Sequence, residues 1–162
     1  MWVSEMVRDL QRLEELATKV LPNVPPENFS LERWLKAYTK ENEVGKYYIP
    51  TASPNISELA INNCGTVACA VGWAALYKPF NDLGFKLSTE EVDYDCMHRS
   101  YTKCNVFFEG YSSWDAVNNF FNISMQESAY LFIDESYLEE GLAGSVEDVI
   151  RRIKDFVDQK DS

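Results

Sequence analysis

Apolar positions recur along the chain at steps of three and four, interrupted by prolines and short polar clusters. Val7, Leu10, Leu13, Leu16, Ala17 and Val20 fall on one stripe with Ser4 placed as a cap, which predicts an amphipathic helix over 4–20. Pro22, Pro25 and Pro26 end it and impose an extended link. Ser30 then precedes Leu31, Trp34, Leu35 and Tyr38, the single face of a second, short helix. Periodicity is lost over 39–54, apart from an extended piece at Tyr47, Tyr48 and Ile49 before Pro50. Asn55, with Glu58 three residues on, predicts a capped helix reaching Ile61.

From Thr66 to Tyr77 nearly every position is apolar, whichever side of a helix it would occupy. Such a helix belongs inside a core rather than on a surface. Cys64, Gly65 and Thr66 read as its entry, and Pro79 lies just past its exit. The next stretch, 80–111, is the least regular. Phe85 to Leu87 and Asn105 to Phe108 read as short strands that pair, with acidic Glu90, Glu91, Asp93 and Asp95 between them. Three capped helices follow: Ser113 ahead of 114–121, Ser124 with Glu127 ahead of 125–132, and Ser145 with Asp148 ahead of 146–157. In the last, Val146, Val149, Ile150, Ile153, Phe156 and Val157 share a face. The expected fold is mainly α: a single compact helical domain over 1–162 around a buried central helix at about 66–77. It carries at most a small β-hairpin at about 85–108, and 39–54 and 88–105 read as irregular, variable loops.

Composition sharpens this picture. A chain of 162 residues with 46% hydrophobic positions is long enough for one sizeable core. Its 14% aromatic content argues against disorder over most of the length. The net charge of −11 repels phosphate backbones and anionic lipid headgroups. Direct binding to nucleic acid or membrane is therefore disfavoured, and a partner with a basic surface is favoured. No run of about 20 apolar residues occurs, and Met1 to Asp9 is a charged amphipathic stretch without secretory character. A cytoplasmic location is expected, with reduced cysteines and with the Asn-x-Ser sequons at Asn28, Asn55 and Asn122 as chance matches.

Cys64 is the candidate nucleophile, because a helix N-terminus lowers a thiol pKa. Its base would be His98, the single histidine. The competing reading makes Cys64 and Cys69 small apolar fillers at and within the central helix, and is preferred. A zinc site from Cys64, Cys69, Cys96 and Cys104 is weak. Its second pair is spaced more widely than structural sites prefer, and Cys69 would sit in a helix interior. Asp93, Asp95 and His98 have the chemistry of a divalent-cation site, but a single such cluster reads as a solvated loop. No metal and no cofactor is expected. Phosphate-cradling glycine loops and a Gly-x-Ser-x-Gly elbow do not occur.

Four blocks in order, FSLERW (29–34), NCGTVACAVGWAA (63–75), WDAVNNFFNISMQESAYLF (114–132) and SVEDVIRRIKDF (145–156), resemble a family of small uncharacterised proteins from bacteriophages and bacteria. Its members share a Cys-Gly-Thr-x-Ala-Cys-x-x-Gly block and a later Phe-Phe-x-(Ile/Leu)-Ser-x-x-Glu-(Ala/Ser)-x-x-Leu-Phe block. The resemblance implies a phage or mobile-element origin and assigns no catalytic residue. Three function classes then compete. The preferred one is a non-catalytic acidic protein-binding module acting on a host or defence protein. Its binding carboxylates would be Glu90, Glu91, Asp93, Asp95, Asp134, Glu135, Glu139 and Glu140, in the extreme imitating DNA phosphates. The others are a cysteine enzyme using Cys64 with His98, and a small-molecule binder whose aromatic pocket involves Trp73, Tyr47 and Tyr48.

Overall fold

The stripe of the first helix is used as the spacing requires. In a computed structural model, which describes residues 10–32, 34, 49–62, 66–94 and 99–161, helix α1 covers 10–15 and runs into a π-helical turn, Leu16–Val20. A 3-10 turn, Leu21–Asn23, carries Pro22 and ends the helix. Leu13, Leu16, Ala17 and Val20 are fully buried. A second 3-10 turn, Pro26–Asn28, follows. Ser4, Val7, Leu35, Tyr38, Tyr47 and Tyr48 lie outside the described residues, so the start of the first helix and most of the second do too. Helix α2, Ile56–Asn62, is entered as expected, with Asn55 Oδ1 accepting the Glu58 N–H at 3.1 Å.

The central helix is shorter than its apolar run. Helix α3 is Ala70–Leu76, while Ala68 forms a parallel bridge with Phe29. The reason lies in Asn28. Its carbonyl accepts the Ala68 N–H at 3.1 Å, its side-chain amide donates to Thr66 O at 2.8 Å, and the Ser30 N–H donates to Ala68 O at 3.1 Å. Backbone groups engaged in that way cannot join a helical ladder. Every residue of α3 is buried, as an all-apolar helix requires. Gly72 is obligatory there: a Cβ would stand 1.8 Å from the Trp34 carbonyl oxygen. Tyr77 bridges to Ser53, and helix α4, Lys78–Asp82, carries Pro79 in its first turn.

The hairpin exists but is larger than its apolar ends suggest. Strands β1, Lys86–Tyr94, and β2, Arg99–Phe108, are antiparallel and in register from Lys86 opposite Phe107 to Tyr94 opposite Arg99. The expectation of an irregular 88–105 is corrected: 88–94 and 99–105 are strand, and 95–98 lies outside the described residues. Two paired strands satisfy each other's backbone without an alternating apolar pattern, so that pattern was a poor guide. Glu109 and Gly110 both have positive φ, as a two-residue primed turn demands, and lead into the short third strand β3, Tyr111–Ser112.

Helix α5, Ser113–Phe121, is not capped by Ser113, which is its first residue with φ +58; the N-cap is Ser112, whose side chain makes no cap bond. It closes on Asn122 in the left-handed conformation. Helix α6, Met125–Phe132, has the complete Ser124–Glu127 box at 3.1 and 2.9 Å. A helix the sequence did not announce, α7, Asp134–Leu138, follows directly. Helix α8, Val146–Asp161, has the Ser145–Asp148 box with both bonds at 3.2 Å. The fold is thus mainly α with a small three-stranded antiparallel sheet. Phe80, Phe85, Phe108, Phe120, Phe121 and Phe132 form one ring cluster where α4, α5 and α6 meet the sheet, with Phe85 stacked on Phe120 at 4.3 Å. Among the described residues no helix is long and apolar enough to cross a membrane.

Candidate interaction surface

Cys69 does not sit in a helix interior, as the apolar run implied. It is the N-cap of α3, and its Sγ accepts the Gly72 N–H at 3.4 Å. Burial nevertheless pushes the thiol up to about 11, outweighing the backbone N–H groups that would lower it. Cys104, buried on β2, is also raised to about 11 by burial. Both are neutral packing groups near pH 7. Cys64, Cys96, Asp95 and His98 lie outside the described residues. Among the described residues no group of three or more His, Cys, Asp and Glu is placed to hold a metal ion. Trp73 is fully buried, and its indole N–H donates to Asn28 O at 2.9 Å, so it belongs to the core rather than to a pocket wall.

The acidic residues divide between two elements. Glu90, Glu91 and Asp93 lie on β1, paired in register with Lys103, Thr102 and Ser100. Asp134 and Glu135 begin α7, and Glu139 and Glu140 leave it. These groups are not one cluster along the fold: α7 packs on α6, whereas β1 packs on β2 and α3. Asp134 accepts the Glu135 N–H at 3.0 Å, and Glu140 pairs with Arg152 at 2.9 Å. Glu135 and Glu139 are exposed, and between them Leu138 is 61% exposed. Steps of three and four put these three on one stripe of α7.

Behind that stripe lies a side chain that sequence reading passed over. Arg152 is only 4% exposed. Its guanidinium donates to Tyr130 O at 2.6 Å, Ser136 Oγ at 2.9 Å, Ser136 O at 3.0 Å and Glu140 Oε2 at 2.9 Å. It lies 4.4 Å from the Tyr130 ring centre and 3.7 Å from that of Tyr137. Its Nε has no partner. The Tyr137 hydroxyl donates to Leu131 O at 2.7 Å, and burial raises its pKa well above the usual value although the guanidinium opposes this. This one cation pins α6, α7 and α8 together. The sequence offered a signal, a basic residue next to the apolar stripe of α8, but charged residues beside such a stripe are usually solvated.

A cleft of about 300 Å³ opens between α6 and α8. Gln126, Glu127 and Tyr130 line it from α6, and Asp155, Phe156 and Gln159 from α8. Both triplets have the same spacing, so each helix presents one short stripe to the other. Two carboxylates, two amides and two rings meet there, with no cation among the described lining residues. No family model, no curated protein and no solved structure matches this chain.

Proposed function

We propose that the protein is a non-catalytic, acidic protein-binding module that docks on the basic surface of a host or defence protein, and that it originates from a phage or mobile element. The observation that carries this reading is the exposed face at the end of α7, where Leu138 is exposed beside the exposed carboxylates of Glu135 and Glu139. An apolar side chain beside like charges offers a partner both burial and a charge preference. The overall charge of −11 adds long-range attraction to a basic surface and repels nucleic acid. The resemblance to phage and bacterial proteins supports the origin.

The test is a pull-down from host extract with the wild-type chain and the triple variant E135K/L138A/E139K, at about 50 and about 500 mM salt. A partner held by the wild type at low salt, and lost both at high salt and with the variant, supports the reading. A partner held equally under all three conditions overturns it.

A further inference from the structure

We propose that the outer edge of strand β1 receives an extended segment of the partner protein as an added β-strand, and that this segment carries basic residues at alternate positions. The inference rests on the proposed function for the partner's charge, and goes beyond it by naming a second contact and the sequence pattern that fits it. The strands lie in the order β1-β2-β3, so β1 stands at one edge of the sheet. It is 9 residues long, Lys86–Tyr94, and contains no proline. Among the described residues its backbone bonds only to β2. Such an edge presents alternate N–H and C=O groups that a further strand satisfies. Short length and proline, two common protections of an edge, are both missing here, which leaves charge to choose the occupant.

The register shows which charge is unanswered. Glu90 stands opposite Lys103, whereas Glu91 and Asp93 stand opposite Thr102 and Ser100. Side chains alternate along a strand, so Glu91 and Asp93 share one face of the sheet. On that face β2 sets no cation directly opposite either carboxylate. A strand added at the other edge does so when Lys or Arg recurs at every second position. A second copy of this chain is a poor occupant. Antiparallel self-pairing centred on any residue from 90 to 93 sets two carboxylates opposite each other, which is destabilising.

The probe is the peptide acetyl-Thr-Lys-Val-Lys-Val-Lys-Thr-amide, titrated into the labelled full chain and followed by amide chemical shifts and hydrogen exchange. Two controls accompany it: the same peptide with glutamate for lysine, and the same peptide N-methylated at alternate residues, which keeps the charge but blocks strand pairing. Saturable shifts centred on 86–94, with slowed exchange at alternate amides of β1, are expected from the lysine peptide and from neither control. E91K/D93K should weaken the peptide about tenfold and E91Q/D93N about threefold, both with the β1–β2 amide shifts retained, while E135K/L138A/E139K leaves it unchanged. Absent binding, shifts located elsewhere, equal binding of the N-methylated peptide, or undiminished binding by E91K/D93K would overturn the assignment. No partner protein is needed for this titration. A failed peptide beside a salt-sensitive partner lost in E135K/L138A/E139K removes the edge and leaves the proposed function standing. A bound peptide without such a partner does the reverse.

Discussion

The phenylalanine cluster beneath the sheet and the Arg152 junction at the far helices solve the same packing problem in opposite ways. In the first, Phe80, Phe85, Phe108, Phe120, Phe121 and Phe132 meet ring to ring, and a cation at its edge, Arg12, sits 4.5 Å over Phe120 while donating to Phe120 O at 2.6 Å. In the second, a cation occupies the centre, and three helices are arranged around its donors. Ring clusters tolerate adjustment, because dispersion is spread over many weak contacts. A buried guanidinium is positioned by discrete bonds, and its loss leaves the carbonyls of Tyr130 and Ser136 without their donor. The apolar region therefore supports the fold, while the polar one fixes the geometry of the helices that carry both α7 and the α6–α8 cleft.

The largest expected effect tests that difference. Arg152→Ala should cost about 3–5 kcal/mol, because the Tyr130 and Ser136 carbonyls lose their donor and the buried side chain leaves a cavity, while the exposed Glu140 is taken up by water. Phe120→Ala should cost a similar total, about 3–5 kcal/mol, through the cavity it leaves. Urea unfolding gives both values, and amide shifts separate them. The arginine variant should disturb α6, α7 and α8, and the phenylalanine variant the sheet side. A loss below about 1 kcal/mol for Arg152→Ala would mean that the junction organises nothing.

Alkali provides the next effect. The folded Cys69 thiol titrates near 11, above its ordinary value of 9.0, so the unfolded chain releases its proton first as pH rises. The stabilisation is whole below pH 9 and is lost as pH passes through 11, amounting to about 2–3 kcal/mol. Comparing unfolding midpoints at about pH 8 and pH 10.5 in wild type and Cys69→Ala isolates it, since the variant should lose less across that window. Removing the α8 cap with Ser145→Ala should cost about 1 kcal/mol, measured by thermal unfolding. The smallest change is expected from E135K/E139K: stability should move by under about 0.5 kcal/mol, because both residues are exposed. If that pair unfolds the chain, α7 is part of the core and not a free face.

Local chemistry made some of this legible. Ser124 with Glu127 and Ser145 with Asp148 announced two helix starts, since a capping box closes within four residues and depends on nothing distant. The all-apolar run announced a buried helix, and the apolar ends of the hairpin were placed correctly. Asn28, read only as a chance sequon, instead fixes where α3 begins, because its partners Thr66 and Ala68 are distant in the sequence. Cys69 became a cap and not an interior residue for the same reason. The polar strands of the hairpin escaped notice because cross-strand pairing leaves no periodic mark when alternation is absent.

The sequence by itself determined where most of the long helical stretches lie, where three of them are capped, how much apolar area is available for burial and what sign of charge the exterior carries. Those properties are summed over neighbouring residues or over composition, and need no knowledge of what lies opposite. Only the tertiary structure decided that Arg152 turns inward and that Leu138 at the end of α7 stays exposed. It also decided that the matching triplets at 126–130 and 155–159 face one another across a cleft. Each of these depends on a helix meeting another far along the chain, where burial reverses the preference a charged or apolar side chain has in water.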